Sequence, residues 1–483
     1  MNYIPAIGLE IHAELNTKSK MFCPCKNDPE EKKPNANVCP ICMGHPGALP
    51  VANKSAIEKT VMTGIALDCK IAERSKFDRK NYFYPDLPKG YQISQYDMPL
   101  CQNGLLETEG GKTRIRRIHI EEDTGKLVHP SGADYSLVDL NRAGVPLMEL
   151  VTEPDIISGM GARRFAQELQ LILRYLNVSS AKMEKGQMRV EVNISLRRED
   201  SDDLGVKVEI KNLNSFRSVE DSINYEIERQ TKLLEAGEKV VQETRGWDQE
   251  KGTTSAQREK EEAHDYRYFP EPDLPQLQFS DADIERIKSQ IPELPRSRLQ
   301  RFQLEYGVLL KDAETLVRNK ELGEYFEAVV SELGPNLPHE KLRELVKLSV
   351  NYLVSDLQGL VQNAPMANAD CKASPENFAE LINLVHAETI SSAAAKTILK
   401  FMVETGAGPS RIMEEQGLAQ ISDESSIEAE AKEVIAHNPK AVEDYKKGKA
   451  NALQFLAGKL MSATRGKANP QLAQQILKKL LEL

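Results

Sequence analysis

Met188-Arg189-Val190-Glu191-Val192-Asn193-Ile194-Ser195-Leu196 alternates apolar and polar residues without a break. A period of two marks a β-strand with one buried and one polar face. Val206, Val208 and Ile210 repeat the pattern, with Lys207, Glu209 and Lys211 between or after them. Helix-like stretches around 53–67, 160–176 and 216–236 separate the strand-like ones. Antiparallel sheets commonly keep one face on a core and the other polar. Residues 1–290 therefore predict an α+β domain with largely antiparallel sheets.

Further along, the period changes. Pro270, Pro272, Pro275, Pro292 and Pro295 punctuate a linker, and a helical block follows over 296–405. Leu342, Leu345, Val346, Ser349, Val350 and Leu353 keep helical spacing, as a core-facing stripe does. Thr405-Gly406-Ala407-Gly408-Pro409 then opens a third block, 410–483, also helical, with Asn469-Pro470 reading as an N-cap and first helical residue. From 440 to 483 nine lysines and arginines face three acids, a local net of +6 in a chain of net −10. A basic end on an acidic protein could contact phosphates; it also fits a solvated lysine-rich helix face.

The chain's 483 residues are 40% hydrophobic and 28% charged, which excludes whole-chain disorder. The acidic balance excludes a histone-like binder. No apolar run approaches the ~18–20 residues of a membrane span. Met1-Asn2-Tyr3-Ile4-Pro5 has no basic, then apolar, leader, so a reducing, cytoplasmic setting is expected. Four of the seven cysteines crowd together as Cys23-Pro24-Cys25 and Cys39-Pro40-Ile41-Cys42. Two close pairs across a polar loop suit a structural Zn²⁺, with all four positions taken by thiolates. Incidental thiols on surface turns and a redox pair are the other readings, though no βαβ pattern frames the latter.

Common catalytic signatures are missing. There is no GxxxxGK[ST], GxGxxG, HExxH or GxSxG. Gly104 to Thr113 reads as a loop or hairpin tip. What remains is a set of carboxylate-bearing segments. In Gly8-Leu9-Glu10-Ile11-His12, a strand would project Glu10 and His12 from one face. His119-Ile120-Glu121-Glu122-Asp123 sets acids beside a histidine, and Glu149 follows Pro146-Leu147-Met148. Glu191 and Asn193 share one polar strand face, Lys207 and Glu209 another. Oxygen ligands converging from several strands suit Mg²⁺ bridging nucleotide phosphates. In Lys76-Phe77-Asp78-Arg79-Lys80-Asn81-Tyr82-Phe83-Tyr84-Pro85-Asp86, Arg79 or Lys80 could meet phosphates and the rings could stack a base. A packed aromatic loop is the alternative.

These segments together resemble one family closely. The run from Lys76 to Asp86 is one signature. Tyr91-Gln92-Ile93-Ser94-Gln95, Ser136-Leu137-Val138-Asp139-Leu140-Asn141-Arg142 and Glu149-Leu150-Val151-Thr152-Glu153-Pro154-Asp155 are others. Lys211-Asn212-Leu213-Asn214-Ser215-Phe216, Gln242-Glu243-Thr244-Arg245 and the run Asp265 to Asp273 follow in order, ending at Gly466-Lys467-Ala468-Asn469-Pro470-Gln471. They are similar to the GatB family, the B subunits of aspartyl/glutamyl-tRNA amidotransferases. The resemblance implies a glutamine-synthetase-like kinase and amidotransferase domain with a zinc-binding insert at 23–42, a helical domain, and a tail domain touching tRNA. It implies a heterotrimer with two partners: the A subunit, a glutaminase supplying ammonia, and the C subunit. ATP with Mg²⁺ would phosphorylate the side-chain carboxylate of mischarged Glu-tRNA(Gln) or Asp-tRNA(Asn), and ammonia would displace the phosphate. On this reading Glu10, His12, Glu122 and Glu209 are the first choices for magnesium. Glu121, Glu149 and Glu191 come next, Lys80 is for phosphate, and Arg79, Glu191, Asn193 and Lys207 line the nucleotide. Two rivals stand beside it: an ATP-dependent carboxylate–amine ligase acting on a small molecule, and a non-catalytic tRNA-binding adaptor.

Overall fold

A computed structural model describes residues 3–259, 266–334, 337–361, 372–420, 424–464 and 467–482. Asp265, Cys371, Arg465 and Gly466 lie outside the described residues. The chain divides into two compact units, Met1–Leu294 and Pro295–Leu483.

The first unit is built on a nine-stranded sheet. Its strand order is Thr253–Glu259, Glu243–Asp248, Val208–Leu213, Met188–Arg198, Tyr3–Glu14, Pro146–Thr152, Gly111–Glu122, Cys101–Thr108 and Lys70–Ile71. Neighbours run antiparallel, except that Val208–Leu213 pairs in parallel with Glu243–Asp248. A parallel pair needs a crossover, and helix Phe216–Glu235 supplies it. Gly104 to Thr113 forms the expected hairpin, closing between Thr108 and Gly111.

Register decides what each face carries. Leu9 lies opposite Val192 and Ile11 opposite Val190. These side chains join Ile7, Ile118, Ile120, Met148 and Leu150 in one core. Helices Lys54–Ala66, Gly159–Tyr175 and Phe216–Glu235 cover that face through Val61, Phe165, Leu169, Leu173, Val219 and Ile223. All three start on a side-chain cap, Asn53, Ser158 and Ser215, accepting a backbone N–H of the first turn. Burying an aromatic such as Phe165 contributes about 1.5–3 kcal/mol, and truncating it to alanine costs about 3–5 kcal/mol.

With the apolar positions committed to the helices, Glu10, His12, Glu149, Glu191 and Asn193 fall on the opposite face. A small sheet of Asp78–Asn81, Tyr91–Ser94 and Phe269–Pro270 borders it. The Ser94 hydroxyl donates to Glu121 (3.0 Å), and the Ile120 N–H donates to Gln95 (3.1 Å). The proline-rich stretch after 270 is not a bare linker. Leu277–Gln278 pairs with Arg74–Ser75, Leu274, Phe279 and Leu294 pack on the core, and helix Asp281–Lys288 opens on a Ser280–Asp283 capping box.

After Pro295 the described elements are helices or helical turns. The stripe on His339–Asn351 holds: Leu345, Val346, Ser349 and Val350 are buried. In the last stretch, Ile427, Ala431, Leu456, Leu460, Ile476 and Leu477 form one core among helices Glu424–His437, Ala450–Ala463 and Pro470–Leu481. Asn469 caps the last helix and Pro470 begins it, as expected. Lys478 and Lys479 are exposed near its C-terminal end, the end that favours cations. No helix among the described residues is long and apolar enough to cross a membrane.

Candidate active site

Three overlapping groups of possible ligands occupy the sheet's polar face: Glu10, His12 and Glu149; His119, Glu121 and Glu149; and Glu10, Glu191 and Glu209. Strand register explains the gathering. His12 stands opposite Glu149 on one side, Glu10 opposite Glu191 on the other, His119 opposite Glu149, and Asn193 opposite Glu209. His12 Nε2 lies 3.3 Å from Glu149 and 3.8 Å from Glu121. His119 Nε2 lies 3.4 Å from the same Glu149 oxygen. Lys211 Nζ bonds Glu191 at 2.8 Å, and the Thr244 hydroxyl donates to Glu209 at 2.7 Å.

The charges do not balance locally. Burial, then the neighbouring Glu149 carboxylate, push the pKa of Glu10 up to about 7. Burial works against a charged His12, but the hydrogen bond and charge of Glu149, with Glu121 and Glu10, push its pKa up to about 9. Glu149 is held well below the ordinary range: its burial is outweighed by the two histidines. Burial likewise opposes the charge on Lys80, yet Glu121 and Glu149 keep its pKa above the usual lysine value. Its Nζ lies 4.8 Å from the centre of the Tyr266 ring. Several buried polar atoms here make no hydrogen bond within the protein: Nδ1 of His12 and of His119, Nε of Arg117, and Oδ1 of Asn193. Such atoms cost free energy unless a ligand or water meets them. Carboxylates from five strands, two imidazoles and unmet polar groups form a donor set that fits hard divalent cations and the anions they bridge.

Three expected residues are placed elsewhere. Glu122 follows Glu121 by one residue, so the pleat turns it to the other side. There it accepts from Lys89 Nζ and from the Ile93 N–H, and it belongs to none of the three groups. Arg79 is bound in a fork to Glu271 (2.6 and 2.9 Å), with its guanidinium 4.3 Å from the Tyr91 ring centre; it clamps the chain near 271 to Asp78–Asn81. Lys207 is exposed and precedes the strand, which starts at Val208, so the polar face takes Lys211 instead. His119 and Lys211 join the site as well: their i, i+2 relation to Glu121 and Glu209 puts them on the same face.

The four cysteines of the 23–42 segment also come together. Cys39 Sγ lies 3.8 Å and Cys25 Sγ 4.0 Å from Cys42 Sγ. A tetrahedron with metal–sulfur bonds of ~2.3 Å has sulfurs ~3.8 Å apart, so the spacing fits a four-thiolate metal centre. The Cys39 N–H points at Cys42 Sγ (3.2 Å). The Cys42 thiol is pulled down to about 4, first by its hydrogen bond with Cys23 and also by the charge of Lys20.

Fold and site together define an α+β protein with a carboxylate-lined centre on an open antiparallel face and a separate cysteine centre. The family model for the GatB/GatE catalytic domain matches residues 5–285, and that for the GatB domain matches 324–481. The chain is 50% identical over 489 residues to the aspartyl/glutamyl-tRNA(Asn/Gln) amidotransferase B subunit of Caldicellulosiruptor bescii, covering 100% of both. It is 49% identical over 490 residues to that of Thermotoga petrophila, again 100% of both, and 48% identical to that of Thermomicrobium roseum over 100% of this chain and 99% of the other. The chain belongs to the GatB family of tRNA amidotransferase B subunits.

Proposed function

We propose that this chain is the kinase and amidotransferase component of a cytoplasmic heterotrimer, partnered by a glutaminase A subunit and by the C subunit. It acts on mischarged Glu-tRNA(Gln), Asp-tRNA(Asn) or both. The observation that carries this reading is the convergence of Glu10, His12, Glu149, Glu191 and Glu209 on one sheet face.

A carboxylate is a poor electrophile because its oxide is a poor leaving group. The side-chain carboxylate of the tRNA-borne Glu or Asp takes the γ-phosphoryl group of ATP, and ADP departs. Ammonia nitrogen then attacks the carbonyl carbon, phosphate leaves with the former carboxylate oxygen, and the nitrogen loses a proton. The first step forces two anions together. Mg²⁺, held by Glu10 with His12 and Glu149 or with Glu191 and Glu209, would supply the positive charge that makes this encounter tolerable. Lys80, half-buried and kept charged by Glu121 and Glu149, adds fixed positive charge for the phosphate oxygens. Asn193 and Arg117 offer unmet polar atoms to orient substrate oxygens or donors. The four cysteines would hold structural Zn²⁺, which would leave no position for substrate. The helical domain 296–405 is followed by the tail 410–483, which contacts tRNA through its basic end.

The test supplies the chain and its C subunit, with the glutaminase left out, with ATP, ammonium and each mischarged tRNA. Glutaminyl- or asparaginyl-tRNA is the expected product and reveals which tRNA is used. Amidation of free glutamate or aspartate instead would favour a small-molecule ligase, and tRNA binding without ATP turnover an adaptor.

A further inference from the structure

Lys20 is fully buried, 0% exposed. Among the described residues no carboxylate lies within ion-pair distance of it. Its Nζ donates to the Leu140 carbonyl at 3.1 Å and lies 3.8 Å from Cys42 Sγ. An ammonium taken out of water without an anion is costly. The anion in reach is sulfur. Four thiolates around a divalent metal carry two surplus negative charges, and one neighbouring cation halves that surplus.

The segment holding Lys20 also bonds the turn that joins two strands of the carboxylate site, Gly111–Glu122 and Pro146–Thr152. The Lys20 N–H donates to Cys25 O (2.9 Å), and the next N–H, of Met21, donates to Gly144 O (2.7 Å). Gly144 donates in turn to Asp123 O (2.9 Å). Gly144 has φ +85°, and a Cβ there would stand 3.5 Å from Cys42 Cβ, 3.6 Å from Lys20 Cδ and 3.9 Å from Glu122 Oε2. Cysteine centre, lysine stem and the turn into strand Pro146–Thr152 thus meet at one point.

We propose that the Lys20 ammonium is the buried counter-ion of the four-cysteine metal centre and, through its bond to Leu140, ties that centre to the loop that leads into the strand bearing Glu149. It is a positioning residue. The inference rests on the zinc reading above, and the experiment separates the two.

Lys20→Met and Lys20→Gln are made in the heterotrimer. Zinc content, zinc release to a chromogenic chelator, and melting temperature with and without zinc are measured. Wild type is expected to hold one zinc per chain, and both variants to release it 10- to 100-fold more readily. The rise in melting temperature on adding zinc should shrink in both variants, while the stripped proteins melt close together. Lys20→Gln keeps a donor for Leu140 without the charge, and carries the test if Lys20→Met does not fold. A wild type without zinc overturns the zinc reading itself. Zinc held equally tightly by wild type and Lys20→Gln overturns the counter-ion role. An equal loss of melting temperature in stripped and zinc-loaded variants shows packing alone and overturns it too.

Discussion

The cysteine quartet and the carboxylate face both gather metal-binding side chains, but in opposite ways. Around the cysteines the donors close on one another: four sulfurs within 4.8 Å of each other, a backbone N–H on Cys42, and a buried lysine beside it. On the sheet, Glu10 and Glu149 each belong to two overlapping groups, and four buried polar atoms there lack partners. A closed set of ligands stabilises a fold. An open set with unmet charge binds something that comes and goes.

Four expectations break or sharpen this contrast. The largest belongs to the open centre: Glu149→Gln should lower ATP-dependent amidation by about 10²–10³-fold, far more than the folded fraction falls, as rate assays and calorimetry would show. Cys42→Ser should reverse the pattern, with zinc lost, a lower melting temperature, and activity falling only as the folded fraction does. A buried charge serving neither centre gives a reference point. Glu226, on the helix-covered face, is held below the ordinary value of 4.5: burial is outweighed by bonds from Arg229, Thr254 and Gln230. Because its folded pKa is depressed, its stabilisation is complete above 4.5 and disappears as acid passes the lower folded value. Glu226→Gln should cost roughly 3 kcal/mol in urea unfolding at pH 7, with the gap closing only below that range. Smallest is the basic end: replacing Lys478 and Lys479 with alanine should weaken tRNA binding and flatten the log–log salt dependence by roughly 1–2.

Much of this was legible in the sequence because a strand repeats every two residues. Val190, Val192 and Ile194 disclosed the buried face, and Glu191 and Asn193 the polar one. The same rule, carried through Ile118 and Ile120, pairs His119 with Glu121 and sends Glu122 to the far side. Glu122 meets Lys89 and the Ile93 N–H there. Arg79 was not legible: its partner Glu271 is 192 positions away, and no local pattern announces a fork across that distance. The cysteine spacing was legible, since four thiols in twenty residues need only a short loop to meet. The buried Lys20 was not, because a lysine in a polar stretch looks like a surface residue until the fold closes over it.

Glu10 bears the account most directly, since it belongs to both metal-binding groups that hold neither His119 nor Glu121. The decisive measurement is ADP released by the Glu10→Gln heterotrimer with ATP, Mg²⁺ and mischarged tRNA, beside glutamine hydrolysis in the same sample. The account predicts that ADP release falls at least about a hundredfold while glutamine hydrolysis persists. ADP released at the wild-type rate would contradict it.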